Sequence, residues 1–192
     1  MEKSIIEYLS KYAVIDDDLA EALEKAVIVR EYAKGTTLLR EGEVSFECYF
    51  VLKGCIRCYY LKDGNEKTAE FYAEGDVVNP VGYGTGESAP YYLECVEPTV
   101  AVIGTPESER AAYAHNPGLE TLNRIIAEAM MAKMEKAHHA FKIDTPEERY
   151  IHLLKTRPDL PDRVPQYQIA SYLGVTPESL SRIRRRIKAT DR

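Results

Sequence analysis

Residues 165–187 read PQYQIASYLGVTPESLSRIRRRI, and the spacing of apolar positions in this stretch decides how the carboxyl-terminal part of the chain is built. Counting from Gln166, apolar or small residues fall at Ile169, Ala170, Leu173, Val175, Leu180 and Ile183, with Gly174 between the two groups. Two helices joined by a tight turn produce that pattern, the helix-turn-helix. Ala170 must be small where the helices touch, and Gly174 supplies the left-handed backbone of the turn. Thr176 and Pro177 then cap and start the second helix. At about 100° per residue, Leu180, Ile183 and Ile187 share the inner face of that helix, while Glu178, Ser181, Arg182 and Arg185 share the opposite one. A plain helical hairpin, with Glu178 and Arg182 as a surface ion pair, has the same apolar spacing. The basic surplus at Arg182, Arg184, Arg185, Arg186 and Lys188 favours a recognition face.

Charge is distributed to match. The 192 residues carry a formal net charge of -6, yet residues 145–192 hold ten Lys and Arg against six Asp and Glu. An acidic body with a basic end points to a small polyanion-binding module at that end. For a helix-turn-helix the polyanion is double-stranded DNA, with the second helix in the major groove. Expected base contacts are Glu178, Ser181, Arg182 and Arg185; expected phosphate contacts are Thr176, Ser179, Arg184, Arg186 and Lys188. Only five residues follow Ile187, so no β-hairpin wing is expected after the second helix.

Upstream, Thr145-Pro-Glu-Glu148 is a helix start with a Thr cap, Pro at the first position and Glu at the third, and Arg157-Pro158 ends that helix. Lys142 to Asp144 reads as a hinge. Before it, Leu119, Leu122, Ile126, Met130, Met134, Ala137 and Phe141 recur at intervals of three and four. One helix of about 35 Å with a continuous apolar stripe follows. Such a helix has little chain of its own to pack on, so the stripe is expected to meet its twin in a homodimer; packing on its own β-region is the alternative. Asn116-Pro117-Gly118 separates it from a shorter helix.

From Val27 to Gly104 the texture is different: short β-prone runs broken by Gly, Asp, Asn and Pro roughly every ten residues, the rhythm of an antiparallel sandwich or barrel. The runs are 49–52, 56–61, 68–72, 91–96 and 99–103, with hairpin turns at Lys53-Gly54 and Asp63-Gly64-Asn65. The first 26 residues suggest two short helices, the second over Leu19 to Ala26 with Asp16 as its cap. Hydrophobic residues at 45% and 14 Tyr supply a core and exclude a disordered composition. No charge-free stretch is long enough to span a bilayer, and Glu7 interrupts what would be a signal peptide's apolar run. A cytoplasmic protein with no membrane association is expected.

The four cysteines, Cys48, Cys55, Cys58 and Cys95, invite a metal site. Cys55 and Cys58 lie three apart in a strand-like run, however, and so face opposite sides of a sheet, which is wrong for a chelate. No metal site and no cofactor are expected.

The whole chain from about Ile28 to Ile187 resembles the CRP/FNR family of bacterial transcription regulators. The resemblance rests on Tyr49-Phe-Val-Leu-Lys-Gly54 leading to Cys55-Ile-Arg, on Gly64-Asn-Glu and Glu74-Gly-Asp76, and on the long helix followed by the helix-turn-helix. It implies an α+β architecture: an antiparallel β jelly roll (a double-stranded β-helix) of the cyclic-nucleotide-binding type with flanking helices, a long dimerisation helix, and a helix-turn-helix, here without the wing. The expected divisions are residues 1–117 as sensor, 118–143 as dimer helix and hinge, and 144–192 as DNA-binding domain. A transcription regulator that binds a palindromic operator as a homodimer, with RNA polymerase as a further partner and no enzymatic activity, is implied.

Departures from the family limit what it implies. Cyclic-AMP-binding members place a Gly-Glu on the ribose and an Arg-Ser on the cyclic phosphate; the corresponding places here read Asn79-Pro80 and Ala89-Pro90. Val77 to Tyr92 contains no Lys or Arg, and a buried phosphate without a cation is costly. Cyclic AMP is therefore not the expected effector. Asn79, Gly82, Gly84, Gly86, Glu87 and Tyr91 are the candidate pocket for an unknown small molecule, with the glycine amides able to hold a small anion. The iron-sulfur members' amino-terminal cysteine cluster is absent, and no histidine precedes His115, which leaves haem without a ligand in the sandwich. The family's recognition helix carries an Arg-Glu pair and a second Arg; this chain keeps Glu178 and Arg182 but has Pro177 in place of the first Arg, so half-site preference overlaps the family's in part. Two other readings stay open: a cupin-like metal enzyme, which needs His ligands that the β-region lacks, and a DNA-binding protein whose sandwich senses nothing.

Overall fold

Eight strands between residues 28 and 104 pair into two four-stranded antiparallel sheets, in a computed structural model that describes residues 2–11 and 28–190. They are β1 (Ile28–Tyr32), β2 (Thr37–Leu39), β3 (Cys48–Lys53), β4 (Ile56–Lys62), β5 (Asn65–Tyr72), β6 (Val77–Val78), β7 (Tyr92–Cys95) and β8 (Thr99–Gly104). The sheet orders are β1-β8-β3-β6 and β2-β7-β4-β5. The first strand pairs with the last and each inner strand with its mirror position, as in one long hairpin rolled into an eight-stranded jelly roll. All five β-runs read from the sequence are strands. β1, β2 and β6 are additions, and the turns after β3 and β4 take the expected left-handed backbone, with φ of 99° at Gly54, 53° at Asp63 and 73° at Gly64.

Period-two alternation builds the core. Tyr49 and Val51 of β3, with Ala101 and Ile103 of β8, turn inward to meet Ile56, Cys58, Val78, Leu93 and Cys95, all buried. Full burial of side chains such as Val51 and Leu93 contributes roughly 1.5–3 kcal/mol each. The opposite face of β3 and β8 is apolar too and must be covered. Helices α1 (Glu2–Leu9), α2 (Pro106–His115) and α3 (Gly118–Ile143) do this, with the Tyr8 ring 4.9 Å from that of Phe50. Leu9, Leu119, Leu122 and Ile126 form a second buried cluster, joined by Ala112, Tyr113 and Met130. The second expected amino-terminal helix, Leu19 to Ala26, lies outside the described residues.

The long helix thus has two apolar faces. Its first half buries Leu119, Leu122 and Ile126, at 8%, 4% and 7% exposure, within the chain rather than against a twin. Ala127, Met131, Met134, His138 and Phe141 instead form a second row one face round, at alternating spacings of four and three, and all are exposed. Met131 and Met134 are 70% and 68% exposed.

By contacts the chain divides into two compact units, residues 1–58 with 71–132 and residues 59–70 with 133–192. The second contains the turn and adjoining parts of β4 and β5, the end of α3, α4 (Pro146–Thr156), α5 (Leu160–Arg163), α6 (Gln166–Tyr172) and α7 (Pro177–Thr190). Helix α4 begins as its sequence requires: the Glu148 amide donates to Thr145 Oγ1 at 3.3 Å, and the Thr145 amide donates back to Glu148 Oε2 at 2.8 Å. Thr105 and Ser108 repeat this reciprocal cap at the start of α2.

Candidate nucleic-acid interface

Helices α6 and α7 form the helix-turn-helix. Ile169, Ala170, Leu173, Leu180 and Ile183 are all buried, and Ala170 is fully so. The turn is locked by a pair of bonds: the Val175 amide donates to the Ala170 carbonyl at 2.9 Å and the Gly174 amide to that of Ser171 at 3.1 Å. This is a Schellman motif, and it requires the left-handed backbone that Gly174 adopts at φ 72°. Thr176 Oγ1 accepts from the Ser179 amide at 3.2 Å and so fixes the entry to α7.

Pro177, Glu178, Ser181, Arg182 and Arg185 together line one open concave surface on the outer side of α7. The structure therefore brings all four expected base-contacting residues together, each exposed. Glu178 is held below the ordinary carboxylate range, chiefly by hydrogen bonding to its own amide and to the Thr176 side chain, with Arg182 the smallest contribution. It is ionised at neutral pH, hence a pure acceptor.

The expected phosphate contacts are more scattered. Thr176 and Ser179 sit at the start of α7, occupied with the cap. Arg184 is half-buried and Lys188 exposed. Arg186 pairs with Glu147 in the first turn of α4 at 2.9 Å. This bond spans 39 positions, and nothing in the periodicity of either helix announces it. Two further contacts escape a sequence reading. The Arg149 guanidinium lies 4.3 Å from the Phe141 ring centroid, so Phe141, expected in the stripe of α3, also braces α4. The Thr68 amide of β5 donates to Ser171 Oγ of α6 at 2.9 Å.

The expected effector residues behave differently. Gly82, Gly86 and Glu87 close one tight turn, in which the Thr85 and Gly86 amides donate to the Gly82 carbonyl at 3.0 and 2.9 Å. A Cβ at Gly82 would lie 1.8 Å from the Glu87 carbonyl oxygen. The glycine-rich segment thus spends these two amides on itself. Tyr91 is in the core, its hydroxyl accepting from the Val81 amide at 2.7 Å, while Asn79, Gly84 and Glu87 are exposed. The hydrophobic cluster between the sheets is apolar, but one cation of the β-region, Arg57 of β4, is buried at 1% exposure. Cys55, Cys58 and Cys95 are buried and in no disulfide, and among the described residues no three His, Cys, Asp or Glu side chains are grouped to hold a metal. No helix among the described residues is long and apolar enough to cross a membrane.

Comparison with known proteins places this geometry. Residues 29–111 match the cyclic nucleotide-binding domain family. The nitrogen fixation regulation protein FixK of Rhizobium meliloti is 26% identical over 172 residues, which cover 84% of this chain and 75% of that one. The solved structure of FixK2 from Bradyrhizobium japonicum superposes with a TM-score of 0.69 at 23% identity, covering 86% of each chain. The c-di-GMP responsive global regulator CLP of Xanthomonas campestris gives 0.68 at 16% identity, over 92% of this chain and 93% of its own. Residues 29–111 thus carry a cyclic nucleotide-binding domain, and the jelly roll, long helix and helix-turn-helix follow in the order that the resemblance to CRP/FNR regulators implies, in a chain similar in fold to FixK2 and CLP.

Proposed function

We propose that the chain is a homodimeric, sequence-specific DNA-binding regulator that reads an inverted-repeat operator through α7. The exposed Glu178-Ser181-Arg182-Arg185 surface, presented on a helix whose entry and preceding turn are both fixed by hydrogen bonds, carries this reading. A carboxylate at Glu178 accepts from a cytosine amino group, and Arg182 donates two bonds to guanine. Arg184 and Lys188 lie nearer the backbone, and Arg186 reaches it once released from Glu147. A two-fold dimer requires half-sites about one helical turn, roughly 34 Å, or a multiple of it apart.

Selection of bound sequences from a random library by wild type and Arg182→Ala tests the assignment. The variant should lose about 1–3 kcal/mol of binding and relax its preference at one base pair per half-site. Replacing Lys188 by Ala should weaken all sequences alike and reduce the salt slope by about one. If wild type and Arg182→Ala enrich the same motif with equal stringency, α7 does not read bases through Arg182.

The dimer is assigned to the exposed row of α3 (Ala127, Met131, Met134, His138 and Phe141), because the other apolar face is already covered within the chain. The alternating spacing of four and three is that of a two-stranded seam. The effector is not cyclic AMP in this reading: Val77 to Tyr92, where the resemblance would place the phosphate-binding Arg, contains no Lys or Arg to neutralise a phosphate.

A further inference from the structure

Outside the jelly roll, between the outer face of the β3–β8 sheet and helices α1, α2 and α3, lies a pocket of about 220 Å³. Phe50 and Val102 floor it, Ala112 walls it, and Leu122 and Ile126 close it on the α3 side. Its polar groups gather in one region. Cys48 Sγ lies 3.9 Å from Glu109 Oε1, and Asn123 Nδ2 donates to the Tyr113 hydroxyl at 2.6 Å. Gly104 is what makes room there: a Cβ at that position would lie 2.7 Å from Cys48 Sγ. Among the described lining side chains Glu109 alone is charged, a carboxylate with no cation beside it.

We infer that this pocket is a second ligand site, distinct from the interior of the jelly roll, for a small neutral or cationic aromatic molecule with an N–H donor. Size follows from volume: a dry cavity of about 150 Å³ takes benzene, so the larger pocket takes a fused bicycle. Polarity follows from the lining. The apolar walls take the ring, and the Glu109 carboxylate accepts from the donor and repels an anion. A carboxylate or phosphate ligand would meet an unpaired charge and no compensating cation.

Indole is a direct probe, because the chain contains no Trp and the emission of indole excited beyond the Tyr band is its own. Titration of the full chain should give saturable, blue-shifted emission with a dissociation constant on the order of 0.1–1 mM, in keeping with so small a ligand. Benzylamine should compete and benzoate, similar in size but anionic, should not. Ala112→Phe fills the pocket and should abolish the signal. Methyl NMR of the wild type keeps the test independent of that variant's folding: indole should shift Leu122 and Ile126 and leave Leu180 and Ile183 unmoved. Absence of saturation, equal competition by benzoate, undiminished binding by a folded Ala112→Phe, or indole shifts that miss Leu122 and Ile126 would each overturn the assignment.

Discussion

Gly54 shows how much a single position can carry. At φ 99° its backbone is left-handed, and a Cβ there would lie 2.5 Å from the Pro98 carbonyl oxygen and 2.6 Å from Thr99 Cα. Gly54→Ala should therefore cost about 2 kcal/mol or more, strain and overlap combined. Gly84 has a similar φ, 77°, but open space around it, so Gly84→Ala should cost only the left-handed strain, roughly 1 kcal/mol. Urea unfolding of the two variants measures the difference, and equal losses would show that the crowding at Gly54 is relieved elsewhere. Cys95 acts through charge. Burial pushes its thiol up to about 11, against a partial lowering by Thr99, whereas an unfolded thiol ionises near about 8.5. Between those values the unfolded chain gives up a proton that the folded one keeps. This stability is complete below about pH 8.5 and is lost as pH rises toward the folded value. Burial raises Cys48 and Tyr49 as well, with the same sign. The urea midpoint should fall between neutrality and about pH 10, and Cys95→Ser should flatten part of that fall; an unchanged midpoint would contradict the burial of these groups.

At the scale of elements, α3 separates what periodicity reveals from what it hides. The intervals of three and four from Leu119 to Phe141 announced a long amphipathic helix, and one is present from Gly118 to Ile143. Periodicity says that a face is apolar without saying what covers it. Leu119, Leu122 and Ile126 are claimed by α1 and α2, which leaves Met131 and Met134 exposed, on the face that the proposed dimer would use. Replacing Met131 and Met134 together by Glu should give folded monomers in sedimentation. Ile126→Glu should instead unfold the chain by on the order of 4 kcal/mol, since it puts a charge into a closed cluster. A Met131/Met134 variant that still sediments with the wild-type dimer would move the seam elsewhere. The helix-turn-helix was legible almost residue by residue, because a small Ala170, a left-handed Gly174 and a capping Thr176 are local demands with local signatures. β1, β2 and β6 were not: β6 is two residues long, β2 three, and β1 is an edge strand exposed along most of its length, so none offers enough alternation to register.

For the molecule as a whole, the placement of cations bears on the effector. The domain family matched by residues 29–111 takes its name from cyclic nucleotides, yet Val77 to Tyr92 of this chain contains no Lys or Arg. Calorimetry with cyclic AMP and cyclic GMP at millimolar concentration should show no heat of binding, and saturable binding of either would show that a phosphate is held without a cation from Val77 to Tyr92. Contacts distant in sequence were invisible from the chain alone, and the bond from the Thr68 amide to Ser171 Oγ, 103 positions apart, is the plainest case. Strand β5 is the edge of its sheet, so an outward N–H of this strand has no neighbouring strand to receive it. Ser171 receives that of Thr68, and Ser171 belongs to the first helix of the helix-turn-helix. The proton on the Thr68 nitrogen is consequently sheltered from solvent deuterium by α6 and not by a sheet ladder. Its exchange clock runs at the rate at which that helix lets go, which makes one amide in a β-strand a timer for the helix-turn-helix.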